Sequence, residues 1–569
     1  MKKTILCIVL ILALLMNILS AAAETTTAAP DLSDYFSKRD LSGTWDTSEA
    51  ILIDLNTCNN AVLIDKPGIY VLSGTLNGYI RVNAGENDKV QLVLNNAEIT
   101  SETGAAIEIE GADKVFVTLA ENSVNVLTSK AFAENESVDA ALFSRQDMTI
   151  NGSGSLIVVS ANHGIVCKDD LKITGGTISI TAEGRGMDGN DSVRIYDGSL
   201  TIVSAKDAIR SKESEKEGKG YILIAGGTFD LTAGGGFRNA EPHQSEMGRG
   251  GFGRSRGYTA SNSSSSDSTK GVKAARQILI MGGILNIDSA DDALHTDGDL
   301  TIHNGELNLW SGDDGIHADN ALTINGGCVN VLQSYEGLEA TVLTINDGSI
   351  SVVSSDDGLN AAGGNDNSGF GWNDMFASDG VSLIEINGGT LHVNSDGDGI
   401  DSNGDLIMTG GTVVISGPMN SMNGALDYNG IGTISGGTLI AAGAVGMAEN
   451  FDSRSGQAST MVNLSGQPGE ITVTDDQGNI VLSASVEKSF SCVVISSPKL
   501  TVGNKYTVSS GVSSLEFTAG NNPSGGGFGG PGWQRPSDQG GPGGPGGQGD
   551  PGGQGGPGGQ GGPGGRRGW

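Results

Sequence analysis

The chain has 569 residues, of which 91 are glycine, and a formal net charge of −33. That is more than twice the usual glycine share of about 7%. Acidity on this scale argues against a nucleic-acid partner, which demands Lys and Arg to neutralise phosphates, and it repels acidic partners unless cations intervene.

Residues 1–23 read as a secretory signal: Lys2 and Lys3, an apolar run from Ile5 to Leu19, then Ala21 and Ala23 before Glu24. The run is short for a membrane span and no other stretch approaches one, so a secreted, extracellular protein is expected, acting as a monomer. Residues 24–49 are expected to be a linker. From 50 to 455 a repeat takes over. Residues 456–520 read as a small β-rich cap, and 521–569, a Gly/Pro/Gln tract, as disordered. Two interruptions read as loops: 234–273, rich in Gly, Ser and Arg, and 361–380, which carries Phe370, Trp372 and Phe376. Cys58, Cys167, Cys328 and Cys492 are scattered singly and are expected to be buried thiols; the alternative is a disulfide involving Cys58.

The repeat is a phrase of apolar pair, polar residue, Gly-Gly and alternating apolar residues, as in LTIHNGELNL from Leu300 and LTINGGCVNV from Leu322. Its second glycine falls at Gly283, Gly305, Gly327 and Gly348, in steps of 22, 22 and 21 residues. Alternation puts Leu322, Ile324, Val329 and Val331 on one face and Thr323, Asn325 and Asn330 on the other. Such units cannot bury an apolar face alone and must stack. The expected fold is all-β: a right-handed parallel β-helix with about 22 residues per coil.

After each repeat comes an acidic corner: SADDALHTD from Ser289, SGDDGIHAD from Ser311, SYEGLEA from Ser334, SSDDGLNA from Ser354 and SDGDGIDSN from Ser395. Aligned, these place Asp292, Asp314, Glu336, Asp357 and Asp398 at one position on successive coils about 4.8 Å apart. Asp291, Asp313 and Asp356 precede that ladder, while Asp297, Asp319 and Asp401 follow it. Between Gln277 and Ser453 there are 25 Asp or Glu and no Lys or Arg, so no internal counter-ion is expected. Clustered carboxylates of this kind are hard-oxygen ligands, and calcium is the expected cofactor. His295 and His317, one coil apart, lack a third ligand in the sequence pattern and read as surface or sugar-contacting positions; His163 reads as surface.

With those residues in view, VQLVLNNAEITSETGAAIEIEGADKVFVTLAENSVNVL (Val90 to Leu127) resembles the opening of a bacterial carbohydrate-binding β-helix family. SRQDMTINGSGSLIVVSANHGI (Ser144 to Ile165), the SxDDG corners and KSFSCVVISSPKL (Lys488 to Leu500) continue the likeness over roughly Ala50 to Gly520. The resemblance implies a fold similar to calcium-dependent pectate lyases, calcium on the helix, and binding of cellulose or acidic plant polysaccharides.

The expected function is therefore calcium-dependent polysaccharide binding without cleavage, with Trp310, Tyr335 and Trp372 as sugar-stacking platforms. One alternative is a pectate lyase, whose β-elimination needs a base and an acidifying metal; Lys206 and Arg210, beside Asp188 and Asp207, are its candidate residues. A second alternative is a structural or adhesive cell-surface protein.

Overall fold

The computed structural model describes residues 31–133, 137–240, 242, 268–362 and 378–520. The expected signal segment, the greater part of both insertions and the Gly/Pro/Gln tract lie outside the described residues. Within them there is no α-helix, and no helix long and apolar enough to cross a membrane.

Alternating apolar residues build the interior. Strands Gln277–Ile280, Ile284–Ser289 and Leu294–Thr296 pair in parallel with Asp299–Ile302, Glu306–Ser311 and Ile316–Ile324 respectively. Each strand thus pairs with its counterpart one repeat on, an arrangement compatible with a β-helix or solenoid. Register places like on like: Leu300 lies against Leu322, and Leu322 against Leu343. Ile278, Ile280, Leu285, Ile287 and Leu294 are wholly buried, and one apolar cluster runs unbroken from Leu55 to Val494. At about 1.5–3 kcal/mol for each fully buried Leu or Ile side chain, this column is the main stabilising term.

The corner glycines are required by geometry. Gly327 has φ +88°, a region that L side chains avoid. A Cβ placed there would also meet the Gly305 carbonyl oxygen of the preceding rung at 2.8 Å.

Two segments differ from expectation, one along the side of the stack and one within it. Residues 31–49, read as a linker, are instead laid partly against the stack. Asp40 is buried, takes the Lys114 ammonium at 2.6 Å and the Thr149 hydroxyl at 2.8 Å, and meets Lys172 at 3.2 Å. Phe36 packs with Leu223 and Leu279. The insertion read as 234–273 also ends sooner, because Val272–Ala274 is a strand of the stack, in register with Ile209–Ser211 and Leu294–Thr296. In the C-terminal part, Cys492–Ser496 runs antiparallel to Thr438–Gly443, and the chain on either side of it forms a separate four-stranded antiparallel sheet. All four described cysteines are free thiols; Cys167 and Cys492 are buried, while Cys58 and Cys328 are half-buried.

Candidate functional site

The third strand of each rung is only three or so residues long, and it positions the acidic corner. Asp207, Lys270, Asp292, Asp314, Glu336, Asp357 and Asp398 each stand two residues ahead of such a strand, and those strands pair in register. A second column lies one residue inside them: Asp188, Arg210, Lys273, His295, His317, Glu339, Asn360, Asp401 and Asp427 are consecutive register partners. The ladder acids have a local structural task. Asp207 accepts the Lys270 N–H at 3.1 Å, Asp292 the Asp314 N–H at 3.0 Å and Asp357 the Asp398 N–H at 2.5 Å, so each carboxylate caps the next rung.

Charge divides these columns into two zones. In the first, cations answer the acids. Arg185 and Arg210 reach Asp188 at 3.0 and 2.9 Å. Lys270 reaches Asp291 at 2.7 Å and Asp292 at 2.6 Å. His295 lies between Asp292 (2.7 Å) and Asp297 (3.0 Å). His317 touches Asp314 at 2.9 Å and Glu339 at 2.7 Å through Nδ1, and Asp319 at 3.1 Å through Nε2. The expected lack of counter-ions is thus corrected on three counts. Lys270 comes from outside the acid-only stretch, Lys488 of the cap reaches Asp396 at 2.8 Å, and Arg454 reaches Asp452 at 2.7 Å. Sequence distance concealed the first two.

In the second zone the acids face one another. Ligand oxygens of Asp357, Asp398 and Asp401 lie within 4.8 Å of one another. No Lys, Arg or His among the described residues makes an ion pair with Glu336, Asp356, Asp357, Asp398 or Asp401. Asn360 donates to Glu336 at 2.8 Å.

Proton affinities follow this division at Asp292 and His317 but not at Asp314, which burial and then Asp292 raise well above the carboxylate range despite its bond to His317. Burial opposes ionisation of Asp292, but Lys270 and His295 overcome it and hold the carboxyl below its usual range. Burial likewise opposes charge on His317, yet its bonds to Asp314 and Glu339 push it up to about 12. In the second zone no cationic side chain among the described residues offsets burial, and hydrogen bonds such as that from Asn360 counter it only in part. Glu336 is pushed up to about 8 by burial and then by Glu339, and Asp401 to about 7 by burial and then by Asp427. Asp357 and Asp398 rise well above the carboxylate range for the same reasons. This zone therefore holds its full negative charge at neutral pH only with a cation present.

Several expectations need correction. His163 is 5% exposed rather than on the surface; burial and the adjacent Arg185 lower it to about 3. His295 and His317 are not isolated: their rings stack at 4.8 Å, and carboxylates supply the partners that the sequence pattern did not reveal. Asp297 and Asp319 sit on the histidine rings, whereas Asp401, grouped with them by sequence, belongs to the second zone. Trp310 and Tyr335 are half-buried. Trp310 stands beside Asp288 on the strand face, and Tyr335 follows Asp313 in the column preceding the ladder. Trp372 lies outside the described residues. Arg210 is tied to Asp188, with Asp207 at 4.0 Å, and Lys206 is half-buried.

These acidic, polar-faced rungs can be set beside known proteins. A relative from Acetivibrio thermocellus, named a carbohydrate-binding domain-containing protein, is 41% identical over 186 residues, covering 32% of this chain. The match spans 65% of that relative's length, a little under two thirds. A solved structure, the polysaccharide lyase-like protein from C. thermocellum as a gadolinium derivative, is 28% identical with a TM-score of 0.35, covering 48% of this chain and 96% of that one. The carbohydrate-binding domain-containing protein family matches residues 58–315 and 313–515, nearly the whole described stack and cap, and the chain belongs to that family.

Proposed function

We propose that this is a secreted protein that binds an acidic polysaccharide through calcium held by the second zone, and that it releases no product. The carrying observation is the convergence of Asp357, Asp398 and Asp401 without a counter-ion among the described residues. Oxygen-only donors of this kind suit Ca²⁺, which accepts six to eight oxygens in loose geometry. A cation there turns a surface that repels uronates into one that attracts them. Trp310 and Tyr335 are the described aromatics offered for sugar stacking. The stack is read as a right-handed coil of about 22 residues per turn, working as a monomer outside the cell, with plant cell-wall polymers (polygalacturonate or cellulose) as the ligand class.

The lyase reading has less support, because the Arg210 guanidinium is engaged by the buried Asp188 carboxylate at 2.9 Å. The test is a screen against polygalacturonate and cellulose, with and without Ca²⁺, following retention and the absorbance of unsaturated products together. Retention of polygalacturonate without new absorbance is expected. Product formation that is lost in Arg210→Ala would establish the lyase instead.

A further inference from the structure

The tandem sequence Asp-x-x-His-x-Asp, at Asp292/His295/Asp297 and Asp314/His317/Asp319, is not accounted for by an oxygen-only calcium site. Each imidazole has a carboxylate on both nitrogens. Asp319 meets Nε2 of His317 at 3.1 Å and orients the ring so that Nδ1 faces inward. There Nδ1 meets Asp314 at 2.9 Å and Glu339 at 2.7 Å. One nitrogen and two carboxylate donors thus converge, with ligand atoms of Asp314, His317 and Glu339 within 4.8 Å of one another. A carboxylate on the far nitrogen is also how metal-bound histidines are usually oriented.

Charge points the same way. Asp291, Asp292, Asp297, Asp313, Asp314, Asp319, Glu336 and Glu339 gather around this pair of rungs, while Lys270, Lys273 and two fully protonated imidazoles would supply only four positive charges. A dication neutralises such a site better than one more proton.

We propose that Asp314, His317 and Glu339 form a second metal site, distinct from the carboxylate cluster at Asp357, Asp398 and Asp401, that takes a first-row divalent transition ion such as Zn²⁺. The mixed nitrogen and oxygen donors select it over Ca²⁺. Asp319 is a positioning residue that acts through the ring, and His295 with Asp292, one rung before, is adjacent to the site.

The experiment uses the full purified chain, stripped by chelation and then saturated with Ca²⁺. Zn²⁺ is titrated in by calorimetry against a competing chelator. One tight equivalent is expected, not displaced by Ca²⁺, lost in His317→Gln, weakened about tenfold in Asp319→Asn, and unchanged in Asp401→Asn. Should His317→Gln not fold, wild-type protein loaded with Mn²⁺ must show histidine ¹⁴N coupling in its pulsed paramagnetic resonance. Zn²⁺ uptake that Ca²⁺ abolishes, that survives His317→Gln, or that gives no nitrogen coupling would overturn the site and leave His317 as a simple imidazolium counter-ion. None of those results bears on calcium-dependent polysaccharide retention, which stands or falls separately.

Discussion

Changing Asp401 to Asn removes one of three carboxylates whose oxygens lie within 4.8 Å of one another. At that separation two unit charges repel by about 3 kcal/mol, taking an effective dielectric near 20. Burial and the neighbouring carboxylates hold Asp401 at about 7 against an ordinary 3.8, so in chelated protein at pH 8 the substitution removes a charge that the folded state disfavours. An amide of the same size remains to occupy the strand position. The chelated variant is therefore expected to be more stable than chelated wild type by about 2–3 kcal/mol. With Ca²⁺ the order reverses, because wild type gains the linkage energy of binding and the variant has lost a ligand. The assay is thermal denaturation of both proteins in chelator and in millimolar Ca²⁺. A variant less stable than wild type in chelator, or one that keeps the full wild-type response to Ca²⁺, would refute the reasoning.

In chelator, stability should fall as pH rises. Glu336 has a folded-state pKa of about 8 against an ordinary 4.5, so the folded state holds the extra proton between those values, and its contribution is present at pH 5 and lost by pH 9; denaturant melts across that range should show the decline, and Ca²⁺ should blunt it. Ile324→Asp puts an unpaired charge into a fully buried position and is expected to cost more than about 4 kcal/mol, read from urea denaturation. Asp40→Ala leaves Lys114 and Lys172 without their buried partner; a loss of about 3–5 kcal/mol and faster proteolysis within residues 31–49 are expected, whereas an unchanged cleavage rate would mean that Phe36 packing and backbone contacts such as Asn151 to the Ser42 carbonyl hold the segment.

Much of the stack was legible because its signals are local and repeated: the period-two alternation at Leu322 to Val331, and the glycine at each corner. The third strand of each rung was missed, since Leu294–Thr296 is too short to show alternation. That omission hid the second column, and with it the convergence of His317 and Glu339, which are 22 residues apart in sequence and adjacent in register. The ladder acids at Asp292, Asp314, Glu336, Asp357 and Asp398 were found by alignment. Their division into a neutralised and a bare zone was not, because it depends on Lys270 entering from beyond an insertion. Residues 31–49 carry no periodicity, and only the burial of Asp40 distinguishes a strap from a linker.

The central proposal is that calcium on the bare zone bridges protein and polyuronate. The most direct measurement is equilibrium binding of polygalacturonate to wild-type protein and to the double variant Asp357→Asn, Asp401→Asn, each in Ca²⁺ and in excess chelator. Binding by wild type in Ca²⁺, its disappearance on chelation, and at least a tenfold weakening in the double variant, about 1.4 kcal/mol, are the expected results. Equal binding by wild type in Ca²⁺ and chelator, or undiminished binding by the double variant, would contradict it.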